Sequence, residues 1–265
     1  MPRWSLAAAL ILCTAAATLL AARTAPPRPT QATAASIPDD AALERADAAY
    51  LAVFEVVDDR LVGKHLRDDA AGDLGIACWS RLTTGFPLSY RKLIVQFNIQ
   101  SGRRWAGRFD GSGANDVGRA GFRLSIAGYL AAEEKDLNDP HRPFTPRRGT
   151  LDWTLVHEMG HYICLRTNAI ELFSQQFDGD QVPQPARREQ PDDYPEDGSP
   201  RLSGDFVTSY AERVGGDEEV VETFTTFLLA PELPRDESLV ARKIRFFETM
   251  PGFPELREHI QRVGR

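Results

Sequence analysis

The sequence is short of positive charge, of cysteine, and of long apolar runs beyond its first two dozen residues. Its 31 Lys and Arg face 38 Asp and Glu, for a formal charge of −7 and a pI near 5.3. It therefore lacks the dense cationic face that binding nucleic acid through phosphates requires. Three cysteines, Cys13, Cys78 and Cys164, are too few for a disulfide framework. No internal repeat is found, which argues against solenoids and propellers. What remains is a chain of 265 residues, 42% of them apolar, with ordinary glycine and proline content, in the size range of one globular domain with a sizeable core.

The N-terminus has its own character. Arg3 precedes an apolar run from Leu6 to Ala22, and Pro26, Pro27 and Pro29 follow. This is the layout of a secretory signal peptide over 1–25, cut among the small residues from Ala21 to Ala25, and it predicts a secreted or periplasmic protein. An uncleaved anchor is the alternative, because the run approaches spanning length. Cys13 follows Leu12, where a lipid-modified cysteine follows a small residue, so lipidation is not expected. Loss of the leader leaves Cys78 and Cys164, either as one disulfide or as two buried thiols. Residues 26–38, mainly Ala, Thr and Pro, read as a flexible linker, and 39–265 as the domain.

Along the domain, Asp39 or Asp40 offers an N-cap to Leu43, Ala46, Tyr50, Val53, Phe54, Val57 and Leu61, whose three- and four-residue steps predict a long amphipathic helix ending at Gly63. The β-branched and aromatic runs Leu93–Ile99 and Phe122–Ala127 predict strands of a small sheet, with Asp110–Asp116 as turn chemistry. A free edge near Phe122–Ala127 would suit an extended peptide, although an ordinary edge strand reads the same way. After Pro140, Pro143 and Pro146, either Thr150 or Asp152 caps a helix to about Arg166, with Leu151, Leu155, Met159 and Ile163 as an apolar stripe and His157 and His161 on a separate face. Gln175–Gly204 reads as a long surface loop. Helical periodicity over Asp217–Leu229, Glu237–Thr249 and Pro254–Val263 completes an α+β domain with a mainly helical C-terminal half.

The chemistry concentrates in His157-Glu158-Met159-Gly160-His161. Histidines four apart on a helix differ by about 40° in rotation and one turn in rise, so both imidazoles can reach one metal ion. This H-E-x-x-H pattern binds zinc through its histidines and uses the glutamate as general base. Gly160 costs roughly 1 kcal/mol against alanine in a helix interior, which suggests close packing there. The competing reading makes both histidines core partners of carboxylates and Glu158 a solvated residue. His65, His141 and His259 stand alone and suit surface roles.

A catalytic zinc usually has three protein ligands. An extended motif with Gly and His further along is excluded, since Cys164 and Thr167 occupy those places. Glu171 is too close in sequence to fold back, and Asp192, Asp193, Glu196 and Asp197 lack a rigid mount. Glu218 and Glu222, one turn apart on a helix, are better placed, with Glu219 beside them; the competing reading of all three is an acidic helix N-terminus that favours the macrodipole, against which the two histidines weigh. Tyr-Ala at Tyr210-Ala211, then Glu-x-x-x-Glu at Glu218 and Glu222, then Phe224, downstream of H-E-x-G-H, resembles the lethal-factor-like branch of zinc metallopeptidases, especially its small exported bacterial members. The likeness runs from Leu151 to Leu229, more weakly through Phe246-Phe247 and Pro254-Glu255-Leu256.

The resemblance implies a zincin-like domain holding one Zn2+ through His157, His161 and Glu218. Glu158 would be the catalytic base, Glu222 would support a ligand histidine, Tyr210 would stabilise an oxyanion, and a peptide or protein would be the substrate. Tyr210 to Glu218 is one residue longer than the family's usual spacing, through Gly215-Gly216-Asp217, and Glu219-Val220-Val221 stands where the family usually has Asp-Phe-Ala. Two other classes compete: a secreted zinc-bound binding or structural module without activity, and a metal-independent adhesin.

Overall fold

A computed structural model describes residues 50–101, 106–110, 121–134, 137, 139, 141–177 and 204–263. The expected leader, the linker, the caps at Asp39 and Asp40, most of the turn after Asp110 and most of the loop before Gly204 lie outside the described residues. Among the described residues no helix is long and apolar enough to cross a membrane.

The helix expected to end at Gly63 is instead a hairpin of β1 (Tyr50–Val57) and β2 (Arg60–Leu66). Apolar residues at 50, 53, 54 and 57 satisfy a helical stripe, but they also fit a strand buried along most of its length, and β-branched and aromatic side chains favour the latter. Asp58 and Asp59 mark the break, both at positive φ, 48° and 64°. A two-residue turn with both residues left-handed matches the twist of a hairpin, and aspartate tolerates that region. Trp79 Nε1 donates to the Asp59 carbonyl at 3.1 Å and Arg91 pairs with the Asp59 carboxylate, so long-range contacts fix the turn.

Helix α1 (Asp69–Gly85), not anticipated from sequence, starts on an Asp68 cap that accepts from the Ala71 N–H. The expected strands appear as β3 (Ile94–Gln100) and β5 (Phe122–Ala127), with β4 (Gly107–Asp110) between them in sequence. The sheet order is β2-β1-β3-β5-β4, antiparallel except for the β3/β5 pair. The expected free edge at Phe122–Ala127 is therefore corrected: β5 is paired on both sides, and the edge belongs to β4. Trp79 packs edge-on to Phe97 of β3, with ring centroids 5.5 Å apart.

After the short α2 (Gly128–Glu133), helix α3 (Leu151–Arg166) carries the histidine motif, capped by Thr150, whose hydroxyl accepts from the Trp153 N–H. Asp152 is not a cap. Fully buried, it accepts from Arg81 Nε at 2.8 Å, Arg81 Nη2 at 3.1 Å, Arg142 Nη2 at 2.9 Å and the Thr145 N–H at 2.7 Å. That cluster ties α1 and the proline-rich approach to the first turn of α3. The helix is core-packed as expected, buried on nearly every side from Leu151 to Cys164, with His157 and His161 on a face apart from the apolar stripe. The sheet meets one flank, where Tyr162 contacts Phe109 and Phe122 at 5.8 and 5.1 Å between centroids.

The chain then turns at left-handed Asn168 into α4 (Ala169–Phe177), so the expected loop starts later than Gln175. Helices α5 (Ser209–Val214), α6 (Gly216–Leu229), α7 (Leu239–Phe246) and α8 (Phe253–Arg262) follow, with a short 3₁₀ turn at Phe247–Thr249. Phe173, Phe224, Phe246, Phe247 and Phe253 form a buried aromatic cluster among them. Cys78 and Cys164 are buried and not joined. Burial pushes the Cys78 thiol up to about 12 and raises Cys164 as well.

Glu219 Oε1 accepts from Lys243 Nζ at 2.7 Å, in a pair whose side chains are at most 2% exposed. Removing one partner of such a pair strands the other charge, at a cost of about 3–5 kcal/mol. Glu219→Ala is expected to lower stability by that amount in urea unfolding, and Glu219→Leu with Lys243→Met to restore most of it. A near-neutral single substitution would show that the pair is not a structural clamp.

Candidate metal centre

Helix α3 presents His157 and His161 one turn apart, and α6 crosses them from the opposite side. The crossing is close because residue 160 has no side chain: a Cβ there would lie 3.0 Å from Val221 Cγ1 and 3.2 Å from Phe224 Cδ1. Glu218 thereby reaches both imidazoles, with Oε2 3.1 Å from His157 Nε2 and Oε1 3.5 Å from His161 Nε2. Ligand atoms of His157, His161 and Glu218 all lie within 4.8 Å of one another. Glu218 Oε2 is buried and has no hydrogen-bond partner, despite its nearness to the imidazole. The contact has the distance of a charge pair without the alignment of a hydrogen bond, as expected of donors aimed at a common point between them. Two neutral-capable nitrogens and a carboxylate are a donor set suited to zinc.

Glu222, one turn along α6, sits behind the pair. Its Oε1 is 3.1 Å from His157 Nδ1, again without full hydrogen-bond alignment. Its Oε2 accepts from Thr208 Oγ1 at 2.9 Å and lies 3.4 Å from Arg148 Nε. Burial pulls the His157 imidazole down, but the two carboxylates outweigh it and hold it up at about 10. Burial and the charge of His157 hold His161 down at about 4. For Glu218 and Glu222, burial raises the carboxyl and the facing His157 outweighs it, keeping both low. The cluster is thus rich in negative charge and gathers a positive charge onto His157, the demand that a bound cation would meet.

Glu158 is 6% exposed, and burial pushes its carboxyl up to about 7, with His157 pulling down and Glu218 and Asp110 pushing further up. The Phe109 N–H of β4 donates to it. A Cβ at Gly107 would fall 2.6 Å from Glu158 Cγ and 2.7 Å from its Oε1, so β4 approaches this carboxylate as nearly as backbone can. Glu158, both histidines and Glu218 line a cleft of about 560 Å³, with Leu165 and Ile170 also on its wall.

Tyr210 of α5 lines the same cleft, its ring centroid 6.4 Å from that of His157. Burial, with Glu218 and Glu222, raises its phenol to about 12, so it stays protonated and able to donate. Gly215 and Gly216 adopt positive φ, 65° and 56°, and turn the chain from α5 directly into α6.

No family model, curated protein or solved structure matches the chain. The site therefore stands on its own geometry.

Of the residues singled out from sequence, His157, Glu158, His161, Tyr210 and Glu218 line this cleft, and Glu222 sits behind His157. Glu219 is turned away to Lys243, about 100° around α6 from Glu218. Glu171 is exposed and accepts from Gln175 Nε2, apart from the cleft. His259 contacts the Thr84 carbonyl, and His65 and His141 likewise stay out of the group. Sequence reading missed Thr208, which both caps α5 and braces Glu222; its place ahead of Ser209 and Tyr210 is an ordinary cap signal. It also missed Gly107 and Arg148, which carry no local signature.

Two outcomes are expected. Gly107→Ala would crowd Glu158 while sparing His157, His161 and Glu218, so Zn2+ uptake should survive in the variant; loss of uptake would mean that β4 also positions those three side chains. Glu218→Ala should weaken Zn2+ binding, measured by titration calorimetry, by at least two orders of magnitude. Unchanged affinity would move the third ligand to Glu222.

Proposed function

We propose that the chain is an exported zinc metallopeptidase with a zincin-like α+β fold, hydrolysing peptide bonds in a peptide or protein substrate. The observation that supports this best is the convergence of His157, His161 and Glu218, with buried Glu158 beside them at the floor of an open cleft. A structural zinc site closes its fourth position and has no use for an adjacent base, whereas this group leaves a cleft on one side. Export is carried by the leader pattern of residues 1–25 alone.

Zn2+, when bound, polarises a carbonyl and makes a water more acidic. Glu158 takes a proton from water in the cleft as its oxygen attacks the scissile carbonyl carbon. When the C–N bond breaks, Glu158 passes that proton to the leaving amine. A carboxyl raised by burial suits both halves of this exchange better than a solvated one. Tyr210, kept protonated, donates to the oxyanion as charge develops. Glu222, braced by Thr208 and Arg148, holds His157 so that Nε2 faces the cleft, leaving Nδ1 toward the carboxylate. β4 is one of the two edge strands of the described sheet and runs along the cleft at Gly107, Arg108 and Phe109, so an extended peptide can add to it as a further strand.

Glu158→Gln tests this reading. The variant should bind zinc near stoichiometrically yet hydrolyse an unfolded protein such as casein about 10²- to 10⁴-fold more slowly, the range of a lost general base. Full activity in the variant would remove Glu158 from its role. Stoichiometric zinc with no hydrolysis by the wild type would favour a binding module in place of an enzyme.

A further inference from the structure

The cleft continues past Tyr210 into a second lobe of about 410 Å³, bounded by Arg148, Gly149, Trp153, Tyr210, Arg213 and Glu222. It shares Gly107, His157, Glu158 and Tyr210 with the first lobe, so a chain lying across the metal centre enters both. The lobes differ in their balance of charge. Beyond the residues they share, Asp217, Glu218 and Arg108 line the first, while two guanidiniums and Glu222 border the second, with Arg148 Cζ 4.9 Å and Arg213 Cζ 5.5 Å from the centroid of the Tyr210 ring.

Both distances are in the cation–π range, so one aromatic ring gathers two positive charges at the mouth of the lobe. The carboxylates on its wall are already committed. Glu222 serves His157 and Thr208, and Glu158 is held against β4. Arg148 also lies beside Glu222, with Nε 3.4 Å from Oε2, and that nitrogen is buried without a hydrogen bond. A planar guanidinium matches a carboxylate in shape and charge; Arg148 lines the lobe, and Arg213, exposed at the end of α5, lines it as a second cation.

We infer that this lobe is an anion-binding subsite that takes a carboxylate adjacent to the scissile bond, from an Asp or Glu side chain or from the C-terminus of the peptide. The inference rests on the peptidase reading and narrows its substrates to peptides that place negative charge on the Tyr210 side of the metal centre. Tyr210 then has two neighbours to serve: its hydroxyl faces the reacting carbonyl, and its ring fixes the two arginines that hold the flanking residue.

The test uses quenched fluorogenic peptides that differ only in the flanking residue, Glu, Gln or Lys, and a second pair with a free or amidated C-terminus close to the scissile bond. For the zinc-loaded wild type, kcat/KM for Glu should exceed that for Gln by about 10- to 100-fold, as a charge-assisted contact gives. Arg213→Ala and Arg148→Gln should each shrink that ratio toward one, and Arg213→Glu should favour Lys. If the advantage follows the free C-terminus and disappears on amidation, the chain end is the source; if it follows the side chain, an acidic residue is. A wild-type ratio near one, or a ratio unchanged in both arginine variants, overturns the subsite while hydrolysis of the neutral peptide keeps the peptidase reading. Fluorescence anisotropy of the same peptides on zinc-loaded Glu158→Gln reads the charge preference without turnover. Charge-selective binding there with no cleavage by the wild type would sink the peptidase reading and spare the subsite.

Discussion

The close crossing of α3 and α6 is the contact on which the site depends. Three of the candidate site residues stand on one helix and two on the other, and their meeting distance is set where Gly160 faces Val221 and Phe224. A methyl group at 160 would lie 3.0 Å from its nearest neighbour, so the crossing is already at its limit. The cost of placing glycine inside a helix, roughly 1 kcal/mol, is offset by the approach it permits. Phe224 then leads into the aromatic cluster with Phe247 and Phe253, which prevents α6 from drifting away.

Around this crossing the fold holds charges in place by burying them in pairs. Asp152 gathers four donors at the first turn of α3, and Lys243 takes Glu219 on the far side of α6. Neither is a good source of stability, because desolvation cancels much of the attraction. Each nevertheless fixes rotation: α3 cannot turn about its axis without breaking the Asp152 cluster, and α6 cannot turn without exposing Glu219. Rotation is the degree of freedom that would take His157 and Glu218 out of each other's reach.

The centre was legible in the sequence because helical spacing is a local property. His157 to His161 and Glu218 to Glu222 are each one turn, and an α-helix allows only one relation between such residues. The hairpin was not legible, since Tyr50, Val53, Phe54 and Val57 satisfy both periods, and the choice was made by pairing with β3 some forty residues away. The edge strand escaped notice for a similar reason. Gly107–Asp110 is four residues with no marked pattern, and its place beside β5 is a matter of topology. Thr208, Arg148 and Gly107 act only through partners distant in sequence.

The paired left-handed glycines at 215 and 216 bear on how this chain tolerates changes of length. An inserted residue within α6 would turn everything beyond it by about 100°, sending Glu222 to the place of a neighbour and breaking its register with Glu218. The same insertion before Gly216 rotates nothing, because a junction with no side chains and nothing within 4 Å of either missing Cβ absorbs it. A change of length at this joint therefore leaves the spacing of the acidic pair fixed.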